Sequence, residues 1–138
     1  MLFPELSDRL IGHFYDVHKS TRYGYLESLY QRCYVLALQD DGIHVEPEIP
    51  ITVLFRGRPV GDYRLDLIVE RSVIVECKNC MKILPIHKAQ LLHYLRATGL
   101  PLGLLLNFGP EATFVRVVNE RGLSSPGEIT YRRRGIGP

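Results

Sequence analysis

Two short apolar segments on either side of a helical one constrain the fold most strongly. Residues 73–75 are β-branched or apolar and are bounded by charge, and residues 102–108 form a second apolar run. Both have the length and composition of buried strands. Between them, Pro85 suits the first turn of a helix that reaches Thr98, where Gly99 ends it. A helix that joins two buried strands is typical of a parallel crossover. The sequence therefore predicts an α/β fold with a mixed sheet.

The N-terminal part of the chain has helical periodicity. Its apolar spacing predicts one helix over residues 6–19, with Ser7 as its cap, and a second over 26–40 that Gly42 terminates. The apolar side of the second helix is expected to consist of Leu26, Leu29, Tyr30, Cys33, Leu36 and Ala37.

Beyond the second helix the period changes to two. Residues 43–55 predict one or two strands, residues 56–59 a turn, and residues 63–69, 73–78 and 113–118 three more strands. The predicted order is α-α-β-β-β-α-β-β. Residues 1–123 are expected to form one domain, and the basic, Gly/Pro/Arg-rich tail over 124–138 an edge segment or a disordered one.

Composition excludes several classes of protein. The hydrophobic content of 46% and charged content of 23% are those of a globular domain, not of a disordered chain. No stretch reaches the 18 apolar residues of a membrane span, and the N-terminus lacks the regions of a signal peptide, so a cytoplasmic protein without a membrane partner is expected. Cys77 and Cys80 have the spacing of half a zinc site, but no second ligand pair follows, which favours reduced structural cysteines.

Charged residues at the end of a core strand provide the first functional signal. Glu76-Cys77-Lys78 ends the apolar run, and Asp66 lies within the preceding strand. A three-residue loop at 70–72 would pair Val69 with Val73 and bring Asp66 opposite Glu76, whereas a two-residue loop would misalign the carboxylates. We predict the three-residue loop.

Two carboxylates about 4 Å apart repel by about 4 kcal/mol at an effective dielectric constant of about 20, and oxygen ligands favour Mg²⁺ or Mn²⁺. The alternative is an ion-pair network in which Arg64 and Lys78 neutralise both acids.

Three further polar residues join this pattern. Glu27 lies in the first turn of the second helix, where the helix dipole alone favours an acid. Gln90 and Tyr94 are four residues apart and therefore share one face of the third helix. They form either an ordinary polar stripe or a pair that hydrogen-bonds phosphate or a nucleophilic water.

Taken together, these motifs resemble the GxxExxY proteins, a branch of the PD-(D/E)XK nuclease superfamily. The resemblance rests on Gly-x-x-Glu-x-x-Tyr at 24–30, Tyr-Arg-Leu-Asp at 63–66, Ile-Val-Glu-Cys-Lys at 74–78 and Ala-Gln-Leu-Leu-His-Tyr-Leu at 89–95. It extends over about residues 6–118. Leu65 stands where the superfamily name has proline. The resemblance implies a restriction-endonuclease-like core, which is a central mixed sheet flanked by helices.

The resemblance also implies roles for individual residues. Asp66 and Glu76 match the metal-binding acids, the main-chain carbonyl of Cys77 matches a third ligand, and Lys78 matches the lysine that serves the attacking water. Glu27 matches an acid that reaches the metal directly or through water. Gln90 and Tyr94 match an element that orients the substrate.

The expected activity is therefore that of a Mg²⁺- or Mn²⁺-dependent nuclease. It would hydrolyse DNA, with RNA as the secondary substrate, through a metal-activated water and leave 5′-phosphate ends. A homodimer is the assembly that would allow it to cut both strands. The alternative is a catalytically weak nucleic-acid-binding or protein-interaction module on the same fold. No row of aromatic residues for stacking single strands is evident, so the strand preference is open. Five basic residues flank the proposed site and are expected to contact nucleic acid: Arg22, Arg32, Lys82, Lys88 and Arg96.

Overall fold

Three helices and six strands make up the described part of the chain. The computed structural model describes residues 2–120 and 129–133. Its elements are α1 Pro4–Thr21, α2 Glu27–Asp40, β1 Val45–Phe55, β2 Arg58–Val69, β3 Val73–Lys78, α3 Pro85–Thr98, β4 Leu102–Phe108, β5 Ala112–Val118 and β6 Ile129–Arg133. The predicted order of the first eight elements is confirmed. β6 is additional and lies in the predicted tail, of which residues 124–128 and 134–138 are outside the described residues. None of the described helices is both long and apolar enough to cross a membrane.

The strands form one mixed sheet flanked by helices. The strand order is β5-β4-β3-β2-β1-β6, in which β3 and β4 are parallel and every other pair is antiparallel. Alternate residues of β3 point to opposite faces, so Val73 and Val75 join the core under α1 and α2, whereas Ile74 joins the core under α3. Gly103 in β4 allows close packing of α3, because a Cβ there would lie 2.8 Å from the Leu91 side chain. The predicted α/β class and the restriction-endonuclease-like architecture are confirmed.

The pleat of β1 and β2 is interrupted at one point. Leu65 and Leu67 are two residues apart, yet they lie in the cores on opposite faces of the sheet. Strict alternation would place them on the same face. Opposite this point, Glu48 has a left-handed backbone with φ of 54°, and the ladder passes from the Leu67 pair to the Leu65 pair. Asp66 therefore lies at a bend in β2, where its side chain does not follow the normal alternation between the two faces of the sheet.

The predicted apolar face of α2 was correct in part, and the predicted cap of α1 was wrong. On α2, Tyr30 is buried and Cys33 and Ala37 pack against the core. Leu26 and Leu36 are instead 77% and 60% exposed, and the other buried residues of α2 are Tyr34 and Leu38. Large aromatic rings bury more area than leucine, and their hydroxyl groups find acceptors: the Tyr34 hydroxyl donates to the Leu10 carbonyl at 2.9 Å. Ser7 is not a helix cap. It lies inside α1, is fully buried, and its Oγ accepts a hydrogen bond from Arg116 at 2.9 Å.

Candidate active site

Asp66 and Cys77 meet where strands β2 and β3 separate. Val69 pairs with Val73 and Leu67 with Val75, so the predicted three-residue loop and register are confirmed. The ladder between the two strands ends there. At the next position, Asp66 Oδ2 accepts a hydrogen bond of 2.8 Å from the main-chain N–H of Cys77. The Asp66 carboxylate thus takes the place of a main-chain carbonyl as the acceptor where β2 and β3 separate. This hydrogen bond holds the carboxylate beside Glu76.

Glu76 is a buried acid with incomplete hydrogen bonding. Its side chain is 5% exposed, and its Oε1 atom has no hydrogen-bond partner among the described residues. Burial, followed by the negative charge of Asp66, raises the pKa of Glu76 well above its ordinary value, and the positive charge of Lys78 only partly offsets this. A buried carboxylate that has one unpartnered oxygen and lies beside a second acid destabilises a fold unless a cation binds or a proton is taken up.

Glu27 brings a third carboxylate toward the same point from helix α2. The residue is solvent-exposed as a whole, but partial burial of its carboxyl group and then the charge of Asp66 raise its pKa. Lys78 and the main-chain N–H of Asn79 act in the opposite direction. Asn79 also donates from Nδ2 to the Tyr25 carbonyl at 2.6 Å. These contacts tie the start of α2 to the end of β3.

Tyr30 fixes the loop that leads to Glu27. Its hydroxyl donates to the carbonyl of Arg22 and accepts a hydrogen bond of 3.1 Å from the Tyr25 main chain. Its ring stacks on Phe108, with centroids 5.0 Å apart and planes 14° apart. The tyrosine of the Gly-x-x-Glu-x-x-Tyr motif therefore supports the loop from within the core.

Lys78 is the half-buried cation of this cluster. It affects the pKa of Glu27, Glu76 and His87, which places its ammonium group within electrostatic range of all three. Among residues 2–120 and 129–133, no acid lies within 4 Å of that ammonium group. Arg64 is 3.8 Å from Glu48 instead. The structure thus gives no support to an ion-pair network that neutralises Asp66 and Glu76.

Helix α3 brings Tyr94 to the same cluster. Burial, and then the negative charge of Glu76, raise the pKa of the Tyr94 hydroxyl, with smaller effects from Tyr63 and Asp66. Tyr94 is 7% exposed. Gln90 lies one turn earlier on α3 and lines the groove that Tyr94 also borders, and it makes no described hydrogen bond to the acids.

The five basic residues are spread over several elements. Arg22 precedes α2, Arg32 lies on α2, Lys82 follows β3, and Lys88 and Arg96 lie on α3. The first four are exposed. Arg96 is half-buried beside Tyr131. Burial raises the pKa of Tyr131, and the positive charge of Arg96 partly offsets this effect. Their contact with nucleic acid stays a prediction.

Asn107 is a supporting residue that the sequence did not single out. It is 1% exposed, and its side chain accepts hydrogen bonds from the main chains of Cys80 (3.0 Å) and Gly109 (3.1 Å) and donates to the Cys80 carbonyl (2.9 Å). A Cβ on Gly109 would lie 2.1 Å from that carbonyl. The end of β4 thereby fixes the loop that follows Lys78. A polar residue ending the leucine run of β4 was the available signal.

The donor set fits a hard divalent cation better than zinc. No group of three or more His, Cys, Asp and Glu side chains with metal-binding geometry occurs among the described residues. The buried thiol of Cys77 packs in the core under α1 and α2, and burial raises its pKa well above the ordinary value, so the thiol is not a ligand. Two carboxylates, one with a free buried oxygen, are what Mg²⁺ typically uses, because it retains several waters and binds substrate phosphates.

Comparison with known families identifies the superfamily of the chain. A family model described as the PD-(D/E)XK nuclease superfamily matches residues 4–118. The matched region runs from α1 through β5 and includes all the acids discussed above. No curated protein and no solved structure matched the chain.

Proposed function

Because the chain belongs to the PD-(D/E)XK nuclease superfamily, we propose that it is a metal-dependent nuclease that hydrolyses phosphodiester bonds of DNA or RNA and leaves 5′-phosphate ends. The observation that carries the proposal is the unpartnered Oε1 of buried Glu76, beside Asp66 and within electrostatic range of Lys78. Glu27 in turn lies within electrostatic range of Asp66 and Lys78. Such an arrangement is costly for folding alone, and perturbed acids of this kind concentrate at functional sites.

Each residue has a distinct role in this proposal. Asp66, Glu76 and the main-chain carbonyl of Cys77 would hold Mg²⁺ or Mn²⁺, with Glu27 contributing directly or through a water. The cation, when bound, would polarise the phosphate and lower the pKa of a coordinated water. Lys78 offers positive charge to the attacking water and to the negative charge that develops on the phosphate.

Helix α3 serves the substrate rather than the metal. Tyr94 lines the neighbouring groove and lies within electrostatic range of Glu76 and Asp66, which supports a role for its hydroxyl in orienting a phosphate oxygen or the water. Gln90, one turn away, would extend this contact along the strand. Within the superfamily we assign the chain to the GxxExxY branch. Gly24 has a φ of 126°, which favours glycine, Glu27 would supply the acid, and Tyr30 supports the loop before it.

Cleavage assays with two variants test the proposal. Purified protein is incubated with plasmid, linear single-stranded DNA and RNA in Mg²⁺, Mn²⁺ or EDTA. We expect cleavage only with a metal, and a loss of about 10²-fold or more in Asp66→Asn and Lys78→Ala. The exposed residues Asp8 and Lys19 on α1 supply matched controls, Asp8→Asn and Lys19→Ala, which should keep full activity.

The assay also separates the proposal from its rival. Cleavage that survives EDTA or either site variant would refute a metal-dependent nuclease at this site. Tight nucleic-acid binding by the wild type without cleavage in any metal would indicate the catalytically weak binding module instead.

A further inference from the structure

An aromatic groove shares Tyr94 with the surroundings of the acids. It lies between α3 and the outer strands of the sheet and has a volume of about 430 Å³. Its aromatic and polar lining comes from six residues that we call the aromatic groove: Tyr63, His87, Gln90, His93, Tyr94 and Tyr131. Aliphatic side chains, including Ile51 and Val53, complete the lining.

Tertiary pairing assembles the groove from distant parts of the chain. In β1, Ile51 pairs with Tyr63 of β2, and Val53 pairs with Tyr131 of β6. The rings of Tyr63 and Tyr94 are 6.3 Å apart between centroids and inclined by 59°. The Tyr131 hydroxyl lies 3.4 Å from Nδ1 of His93. The three tyrosines thus come from two strands and a helix and form one surface.

Two residues connect the groove with the candidate site. Tyr94 lines the groove and also lies within electrostatic range of Glu76 and Asp66. Tyr63, which lines the groove as well, precedes Asp66 by three residues on β2. A strand whose phosphate is held at the acids would therefore have the groove within reach of a neighbouring nucleotide.

The lining selects a flat, neutral ligand with polar edges. Among the described residues that line it there is no Asp, Glu, Lys or Arg, so the groove has no charge to hold a phosphate group. It offers aromatic faces for stacking, and the amide of Gln90, the ring nitrogens of His93 and tyrosine hydroxyl groups for hydrogen bonds. A nucleobase has this shape and chemistry, and the groove has the size of a ligand site.

We propose that the aromatic groove binds an unpaired nucleobase of the strand that is cut. This inference rests on the proposed nuclease function and specifies its substrate as single-stranded nucleic acid or a single-stranded region of a duplex. A base in a duplex cannot enter, because its faces are covered by neighbouring bases and its edge by its partner. Stacking on aromatic side chains is the main source of affinity in proteins that bind single strands.

The test is a binding experiment that does not depend on cleavage. The full chain with Asp66→Asn is titrated with a single-stranded oligonucleotide that carries the fluorescent adenine analogue 2-aminopurine, and with the same sequence as a duplex. We expect quenched fluorescence at one or two positions of the single strand and binding at least about tenfold tighter than to the duplex. A further Tyr63→Leu change should weaken single-strand binding about tenfold, which corresponds to about 1.4 kcal/mol.

Matched variants show whether stacking is the cause. Tyr63→Phe keeps the ring and should bind within about twofold of the unmodified groove. Tyr15→Leu alters an equally exposed tyrosine that packs against Phe14 and Phe114 on the other face of the sheet, and should leave binding unchanged. Tyr131→Leu provides a second disruption of the groove if Tyr63→Leu lowers stability, and circular dichroism monitors folding of every variant.

Three outcomes would overturn the inference: equal affinity for both strand types, no quenching at any position, or unchanged binding in folded Tyr63→Leu and Tyr131→Leu. If these variants disrupt self-association and leave oligonucleotide binding unchanged, the groove is instead a contact between copies of the chain. Wild-type cleavage of duplex DNA would still support the nuclease in each case. Absence of cleavage in any metal would refute the nuclease independently of these titrations.

Discussion

Replacing Glu76 by glutamine should stabilise the metal-free protein while removing its activity. The side chain keeps its shape and loses its charge. In the wild type, burial and the charge of Asp66 raise the pKa of Glu76 above its ordinary value of 4.5. The folded state therefore holds a proton that the unfolded state releases. Stability of the metal-free wild type falls as pH rises from about 4.5 through the raised pKa, and it levels off above it.

The size of the effect follows from two terms. An unpaired buried polar atom costs about 1–3 kcal/mol, and two charges about 4 Å apart repel by about 4 kcal/mol at an effective dielectric constant of about 20. Glutamine removes the repulsion but still needs hydrogen-bond partners. We therefore expect a net gain of about 1–3 kcal/mol in the free energy of unfolding at pH 8, which corresponds to a rise of about 3–10 °C in Tm. Below pH 4.5 the gain should approach zero.

Thermal and urea unfolding, followed by circular dichroism, provide the measurement. Wild type and Glu76→Gln are compared at pH 8 and pH 4.5, in EDTA and in Mg²⁺. A ligand at 100 times its Kd stabilises the folded state by about 2.7 kcal/mol, so Mg²⁺ should stabilise the wild type and have little effect on the variant. The exposed Glu111 supplies the control Glu111→Gln, which should change stability by at most about 0.5 kcal/mol.

One result would refute this reasoning. If Glu76→Gln is less stable than the wild type at pH 8 in EDTA, the Glu76 carboxylate is satisfied in the folded protein. The burial of Glu76 would then serve a structural interaction and not the binding of a cation.

Two further changes test the parts that support the site. Asn107→Ala removes three hydrogen bonds to the main chain at Cys80 and Gly109, so urea unfolding should show a loss of about 2–3 kcal/mol; a loss below about 0.5 kcal/mol would mean that water replaces the side chain. Tyr30→Phe keeps the stacking on Phe108 and removes the hydrogen bonds to the loop before Glu27. The cleavage rate should therefore fall by a larger factor than the equilibrium constant for folding does. An equal fall in both would indicate a purely structural role.

Local periodicity was sufficient to predict most elements. The strand over 73–78 and the helix over 85–98 have the predicted bounds, because each contains one uninterrupted pattern with a clear stop signal. The hairpin register also followed from local chemistry, since the 70–72 loop sets which residues face each other. Bounds were less accurate where the pattern was weak: β2 begins at Arg58 and is five residues longer than expected.

The face of helix α2 shows why local patterns fail. Leu26 and Leu36 have the spacing of a core stripe, yet Tyr34 and Leu38 are buried in their place. Sequence spacing cannot reveal that Leu10 offers its carbonyl to the Tyr34 hydroxyl. Burial of a tyrosine depends on an acceptor supplied by another element, and only packing determines whether that acceptor is present.

By itself the sequence determined the α/β class and the β-α-β crossover, because short-range periodicity specifies them. The acids and the lysine of the candidate site were predicted from the combination of four motifs and from the family that these motifs resemble. Only the tertiary structure decided how those residues act. The bend at Asp66 and Glu48 directs one carboxylate to the main-chain N–H of Cys77, and Oε1 of Glu76 is buried without a hydrogen-bond partner among the described residues. The aromatic groove exists only because strand pairing and helix packing bring together tyrosines from β2, α3 and β6. No local pattern encodes contacts between residues so far apart in the chain.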